Sequence, residues 1–580
     1  LSADSWVYLE IQDPARLLER YQSKPVQRLL HMLPGYQKAL ESPQLKQLEA
    51  VVDFLSNDLK TTRDEAIRDL TGGGVVFAME PGAEGNEKPA FLLVLQPRDA
   101  AFLRKAHDRL VELARQDAKG KGNPDPVSTF PVGGATGYSL SPEEAHAILD
   151  DRLVVANDRK ALERFAGRPK AGSGAGAGLH GNEIWSRERA GAKSPDTLAF
   201  AYAKLDPLRK IQAATAKEKP KPSDPNVVLL LGTWIRAIEK SPWGVMRLEW
   251  TGDEDVTAGL TLGAPEGGFS PAVRRFVPPS GEGASAPIQV PGQIASFSIW
   301  RDWGSVWDAR AELLTPESVQ NLAQLDTQAG TFFGGRDFGT GVLGALGAHW
   351  RFVIAHQSYE SMTPAPDLKL PGFAVVIEMK PEDVEFHTRM KAAFQSFIGL
   401  FNLGAAQQKA PPLLLSAEMV DGLSIATAKY ATFAPSDSSE KSTTNAKPAA
   451  SAADVYNYTP SAFQVGNHFV ISSSLDLARE LAKTFKAGTS PGANTTASGS
   501  DGKNATLLAV ADGSAVARLV ALNKDRLVMQ NMLEKGNDKA SAEAEIGYLE
   551  ALVQWLGQAR MSISDSQESV RVLFRTTLGK

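Results

Sequence analysis

At 580 residues the chain is too long for one compact hydrophobic core and is expected to divide into domains. Its apolar fraction of 43% and charged fraction of 22% are ordinary for globular protein, and a net charge of −5 gives no footprint for nucleic acid. It has no cysteine, which excludes disulfides, thiolate metal ligands and cysteine nucleophiles. The longest apolar run, Val227-Val228-Leu229-Leu230-Leu231 continued by Gly232-Thr233-Trp234-Ile235, is too short to span a bilayer, so an integral membrane protein is not expected.

The chain opens on Leu1-Ser2-Ala3-Asp4 with no initiator Met, which reads as a processed or trimmed start. Export with a signal peptide already removed is the expectation. An apolar strand over 6–11 then runs into Asp13-Pro14-Ala15-Arg16-Leu17-Leu18. Asp at an N-cap accepts from first-turn amides, and Pro fits the first helical position because its missing N–H has no helical partner there. The same unit recurs at 91–95 with Pro97-Arg98-Asp99, and at 198–204 with Asp206-Pro207-Leu208-Arg209. Residues 148–155 read as a hairpin turning at Asp150-Asp151 and entering a helix through Asn157-Asp158. A helix around Trp234 precedes alternating segments at 246–250 and 256–262 joined at Gly252-Asp253.

These units return in order in the second half. Phe373-Ala374-Val375-Val376-Ile377 leads to Pro381-Glu382-Asp383 and a helix with Phe386, Met390 and Phe394. Residues 464–471 align without a gap against 148–155 and enter a helix through Ser473-Ser474. The helix around Trp555 precedes 561–564 and 570–574. The fold class expected is therefore α+β, as two tandem, diverged copies of a mixed or antiparallel sheet module with packed helices, spanning 1–290 and 291–580. Polar, Gly-, Pro-, Ser- or Lys-rich stretches at 119–128, 168–178, 217–225, 436–453 and 487–503 are expected to be loops or linkers, because none can bury enough apolar surface to offset ordering. The boundary is expected within 263–292.

The order of these units resembles a family of large exported bacterial proteins carrying a domain of unknown function. The resemblance lies in the Asp-Pro-capped helix at 8–21, Leu70-Thr71-Gly72-Gly73-Gly74 before Val75-Val76-Phe77-Ala78, Arg152-Leu153-Val154-Val155-Ala156-Asn157, and Leu343-Gly344-Ala345-Leu346-Gly347 before Phe352-Val353-Ile354-Ala355. It implies export and supplies no catalytic residues.

No segment carries a recognisable site. Gly72-Gly73-Gly74 lacks the Gly-Lys-Ser/Thr ending of a phosphate loop and precedes a strand, so a structural turn is expected. His349 and His356 flank one strand on opposite faces. His387 stands four residues after Asp383, which suggests a surface ion pair. No His-Glu-x-x-His or Gly-x-Ser-x-Gly occurs. Asp150-Asp151 and Asp253-Glu254-Asp255 suit turns better than calcium. Trp300, Trp303 and Trp307 are spaced for one face of a helix starting near Asp302, as core or inter-module packing. Catalytic residues are thus unassigned, and neither a metal nor a cofactor is expected. The function expected is a non-enzymatic exported protein that binds or scaffolds other envelope or extracellular proteins. The alternatives are an extracytoplasmic hydrolase with a spatially assembled site, or a carrier of an apolar ligand.

Overall fold

The computed structural model describes residues 1–82, 88–168, 178–215, 224–362, 364–407, 411–431, 452–487 and 504–579. Most of the expected loops at 168–178, 217–225, 436–453 and 487–503 lie outside the described residues. The chain is α+β, with every strand pairing given below antiparallel. It divides into two units, Leu1–Pro220 with Ser241–Gly263, and Lys221–Lys240 with Ala264–Lys580. The chain passes between the units at 220/221, 240/241 and 263/264. Ile288 and Val290 are buried with Val353, Val376 and Val470 of the second unit, which places the 264–290 segment there.

The first unit contains β1 (Val7–Ile11), β2 (Gly74–Glu80), β3 (Ala90–Gln96), β4 (Ser128–Val132), β5 (Ala135–Ser141), β6 (Glu144–Leu149), β7 (Arg152–Ala156), β8 (Thr197–Lys204), β9 (Trp243–Thr251) and β10 (Asp255–Gly263). They pair in the order β10-β9-β8-β1-β2-β3-β7-β6-β5-β4. The second unit contains β11 (Gln293–Trp300), β12 (Leu346–Ala355), β13 (Gly372–Met379), β14 (Leu413–Val420), β15 (Leu423–Tyr430), β16 (Ser461–Val465), β17 (His468–Ser472), β18 (Ala505–Asp512), β19 (Gln558–Asp565) and β20 (Ser569–Thr577). Their order is β20-β19-β18-β11-β12-β13-β17-β16-β15-β14. Position for position, this is the order of the first unit.

Caps and turns fix the elements locally. Asp13, Asp99, Asp158 and Asp512 each accept from a first-turn amide of the helix that follows. Asp150 and Asp151 take φ of 47° and 61°, which makes the β6–β7 turn. Gly72 and Gly73 form the structural turn expected of the glycine triplet after the Arg63–Thr71 helix, and Gly74, at φ 113°, opens β2. Helices cover both faces of the second sheet. The Leu475–Lys486 helix buries Leu477, Leu481 and Phe485 with Val353, Val376 and Phe463. The Val384–Gln407 helix buries Phe386, Met390, Phe394 and Ile398 with Ile377 and Phe469.

One expectation needs correction here. Trp300 is the last residue of β11, and only Trp303 and Trp307 lie on the helix, Trp303–Asp308, that Asp302 caps. Period-2 and period-3.6 patterns overlap where a strand runs directly into a capped helix, so the spacing alone does not separate the three residues. Trp300 and Trp307 are buried, and Trp303 packs edge-on to Trp350.

Candidate functional site

The two sheets can be compared at the same strand positions. In the first unit, Tyr8 of β1 faces Tyr202 of β8, which faces Val245 of β9. All three are buried, together with Trp243, Phe200 and Trp185 of the Glu183–Ala190 helix. Tyr8 meets Trp185 edge-on with ring centres 5.3 Å apart, and its hydroxyl donates to Glu10 at 2.8 Å. Burial and the Glu10 charge push the Tyr8 phenol far above its ordinary range, so it stays protonated. This position is filled and covered.

In the second unit the corresponding row is Ser296 of β11, Val510 of β18 and Arg560 of β19. Lys204 pairs with Trp243 in one unit, and Asp512 pairs with Gln558 in the other. The row of the second unit thus carries Ser296, Val510 and Arg560, with Gln558 beside it, and Val510, Gln558 and Arg560 line a cleft of ≈ 350 Å³. Its polar lining is Gln289, Gln293, Asp512, Arg518, Gln558 and Arg560. Asp512 caps the Gly513–Leu522 helix through Ala515 N at 3.0 Å, and Gln293 Oε1 accepts from Val290 N at 3.2 Å. Neither Arg518 nor Arg560 has a carboxylate partner among the described residues.

Several strongly perturbed groups of the second unit lie elsewhere, in its interior. Arg351 donates to His468 Nε2 at 3.2 Å. Burial, then the Arg351 charge, pulls the His468 imidazole down to about 4, and burial pulls Arg351 down to about 10. Arg301 donates to the carbonyls of Phe276 at 3.1 Å and Leu230 at 2.7 Å, and its guanidinium stacks over the Phe276 ring. It is the charge that opposes the burial of Asp565, whose carboxyl is pushed up to about 6. None of these groups lines the cleft. In the first unit, His107, Tyr138 and His146 form an aromatic triangle with ring centres 4.8 to 5.6 Å apart. Glu144 holds the His146 ring through Nδ1, and His107 Nε2 is buried without a hydrogen-bond partner among the described residues.

A second contrast between the units lies at the ends of the sheets. β4 pairs only with β5 among the described residues, and its exposed positions are Ser128, Thr129 and Pro131. Proline and short polar side chains blunt such an edge. The Ala100–Gly120 helix of that unit turns Arg104, Lys105, Asp108, Arg115 and Lys119 outward. The matching strand, β14, pairs only with β15 among the described residues and exposes Leu414, Leu415 and Met419. The Pro412 carbonyl accepts from Ala431 N, so alternation turns the backbone of Leu413, Leu415, Ala417 and Met419 away from β15. Asn402 satisfies Leu413, donating to its carbonyl at 2.8 Å and accepting from its N–H at 2.7 Å. The backbone groups of Leu415, Ala417 and Met419 have no partner among the described residues. The last four turns of the Val384–Gln407 helix carry no charge after Lys391 and expose Phe397 (58%), Leu400 (53%) and Leu403 (60%).

The remaining residues singled out from sequence are dispersed. His349 Nδ1 meets Ser285 Oγ at 3.1 Å, while His356 Nε2 meets the Ala515 carbonyl at 3.0 Å. Asp383 does not pair with His387; it binds Arg336 at 2.6 Å, and His387 reaches the Lys380 carbonyl and Gln464 instead. Arg336 arrives from 47 residues away and offers a two-pronged fork that an i,i+4 imidazole cannot match. Asp151 pairs with Arg104 and Asp253 with Arg20. Among the described residues no group of three or more His, Asp or Glu is placed to hold a metal, and no helix is long and apolar enough to cross a membrane. The cleft was not apparent from sequence, because it is assembled from segments far apart in the chain. The charge-free run after Lys391, followed by Leu413-Leu414-Leu415, was a legible signal for the edge. No family model, curated protein or solved structure matches the chain.

Proposed function

We propose that the chain is a non-enzymatic binding or scaffolding protein acting outside the cytoplasm, built from two diverged copies of one module, and that it engages a protein partner along β14. The observation that carries this reading is the contrast between β4 and β14. The same sheet position is closed by Pro131 and polar side chains in one unit, and open, with Leu415 and Met419 outward, in the other. An open strand edge beside an apolar surface is suited to strand addition, in which backbone hydrogen bonds give affinity and alternate side chains give specificity. The identical strand order and the matched β6–β7 and β16–β17 hairpins support duplication. The resemblance to exported bacterial proteins supports the location. The partners proposed are other envelope or extracellular proteins. Against a hydrolase, the groups with strongly displaced protonation, His468, Arg351 and Asp565, are engaged inside the second unit rather than presented to its cleft. Photocrosslinking from position 403 in the producing cells tests the reading. A discrete protein adduct is expected there and none from Arg115, on the outer face of the matching helix.

A further inference from the structure

We propose that the cleft in the second unit is a binding site for a small hydroxylated dicarboxylate. The proposal is independent of the β14 edge. Two arginines line the cleft from different elements, Arg518 from the Gly513–Leu522 helix and Arg560 from β19. Arg336 and Arg479 of the same unit, by contrast, are committed to carboxylates, to Asp383 and Glu418. Arg518 and Arg560 have no such partner among the described residues, so their forks are available to an external anion. The planar fork matches a carboxylate through two parallel N–H···O bonds. Two separated forks suit a ligand with two carboxylates better than one compact anion.

Asp512 selects further. One of its oxygens holds Ala515 N, which fixes the carboxylate at the cleft wall. There it repels a compact, multiply charged anion such as phosphate, and it accepts from a ligand hydroxyl. Gln289, Gln293 and Gln558 supply amide groups for the remaining polar atoms. The volume of ≈ 350 Å³ is at the small end of the roughly 300–1,000 Å³ typical of ligand pockets. The matching space of the first unit is closed by Tyr8, Tyr202, Trp243 and Val245, so one site per chain is expected.

The test is isothermal titration of the full chain at low ionic strength with tartrate and malate, and separately with inorganic phosphate. Saturable binding of at least one hydroxy acid at one site per chain is expected, with phosphate at least tenfold weaker. Arg518→Gln and Arg560→Gln are each expected to weaken it by about tenfold or more, the loss of one charge-assisted pair. Both side chains are exposed, so an unchanged unfolding midpoint separates lost binding from lost fold. No saturable binding of either acid up to about 10 mM would overturn the proposal, that being affinity of only about 3 kcal/mol. So would equal binding of phosphate, or binding unaltered in both variants.

Discussion

The guanidinium of Arg351 and the imidazole of His468 are hydrogen-bonded at 3.2 Å inside the second unit, and because arginine can only donate, His468 Nε2 must accept. The ring is therefore held neutral, its proton on Nδ1. Burial and the Arg351 charge place its folded value at about 4, below the ordinary histidine value of 6.5. Between those two values the unfolded chain binds the proton and the folded chain does not, so this residue makes stability fall as pH drops from 6.5 toward 4. Urea midpoints for wild type and His468→Gln at pH 7 and pH 4.5 check this. The stability difference, wild type minus variant, is expected to be more favourable at pH 7. An equal difference at both pH values contradicts it.

Asp565 has the opposite sign. Its folded value of about 6 lies above 3.8, so it keeps a proton that the unfolded chain releases, and its contribution is lost as pH rises from about 4 to 6. The stability of Asp565→Asn relative to wild type should therefore improve across that window. The same urea midpoints, taken at pH 4 and pH 6.5, measure it.

Arg301 is expected to matter through what its removal exposes. Arg301→Ala removes a charge that opposes the burial of Asp565 and frees the carbonyls of Phe276 and Leu230. Each buried acceptor left unpaired costs about 1–3 kcal/mol, and a loss of about 2 kcal/mol or more in equilibrium unfolding is predicted.

Two glycines in neighbouring elements should respond in opposite directions. A Cβ on Gly513 would lie 1.9 Å from the Val553 carbonyl and 2.9 Å from that of Gly557, both backbone atoms. Gly513→Ala is predicted to cost about 2 kcal/mol or more. Gly547, inside the Lys539–Trp555 helix, has nothing within 4 Å of the added carbon, and Gly547→Ala should stabilise by up to about 1 kcal/mol. Thermal and urea unfolding of the two variants make the comparison.

Local physics explains which parts of this molecule are legible from sequence. Asp13, Asp99 and Asp158 announce helix starts because a cap is a short-range hydrogen bond, and the Asp150-Asp151 turn is equally local. At 206 the expectation needs correcting: the helix starts at Leu205, so Asp206 lies inside its first turn instead of at its cap. Longer-range facts are not legible. Arg336 takes Asp383 from His387, and Trp300 ends a strand where a helix face was expected. The helices between β1 and β2, from Lys24 to Asp58, carry no strong stop and start signals apart from prolines, and their pattern merges into one stretch. The cleft depends on Gln289 and Arg560 meeting across more than half the second unit, and no periodicity encodes that.

The central claim is that β14 and the apolar turns beside it form a protein-binding edge. It is tested most directly by placing a photoreactive residue at position 403 in the producing cells and repeating the experiment with Met419→Pro added. Proline at an outward-facing position of the strand removes a donor from the open edge without breaking a β14–β15 hydrogen bond. The account predicts a discrete adduct from position 403 that disappears in the Met419→Pro chain, with no adduct from Arg115. No adduct from 403, or one that survives Met419→Pro with the fold intact, would contradict it.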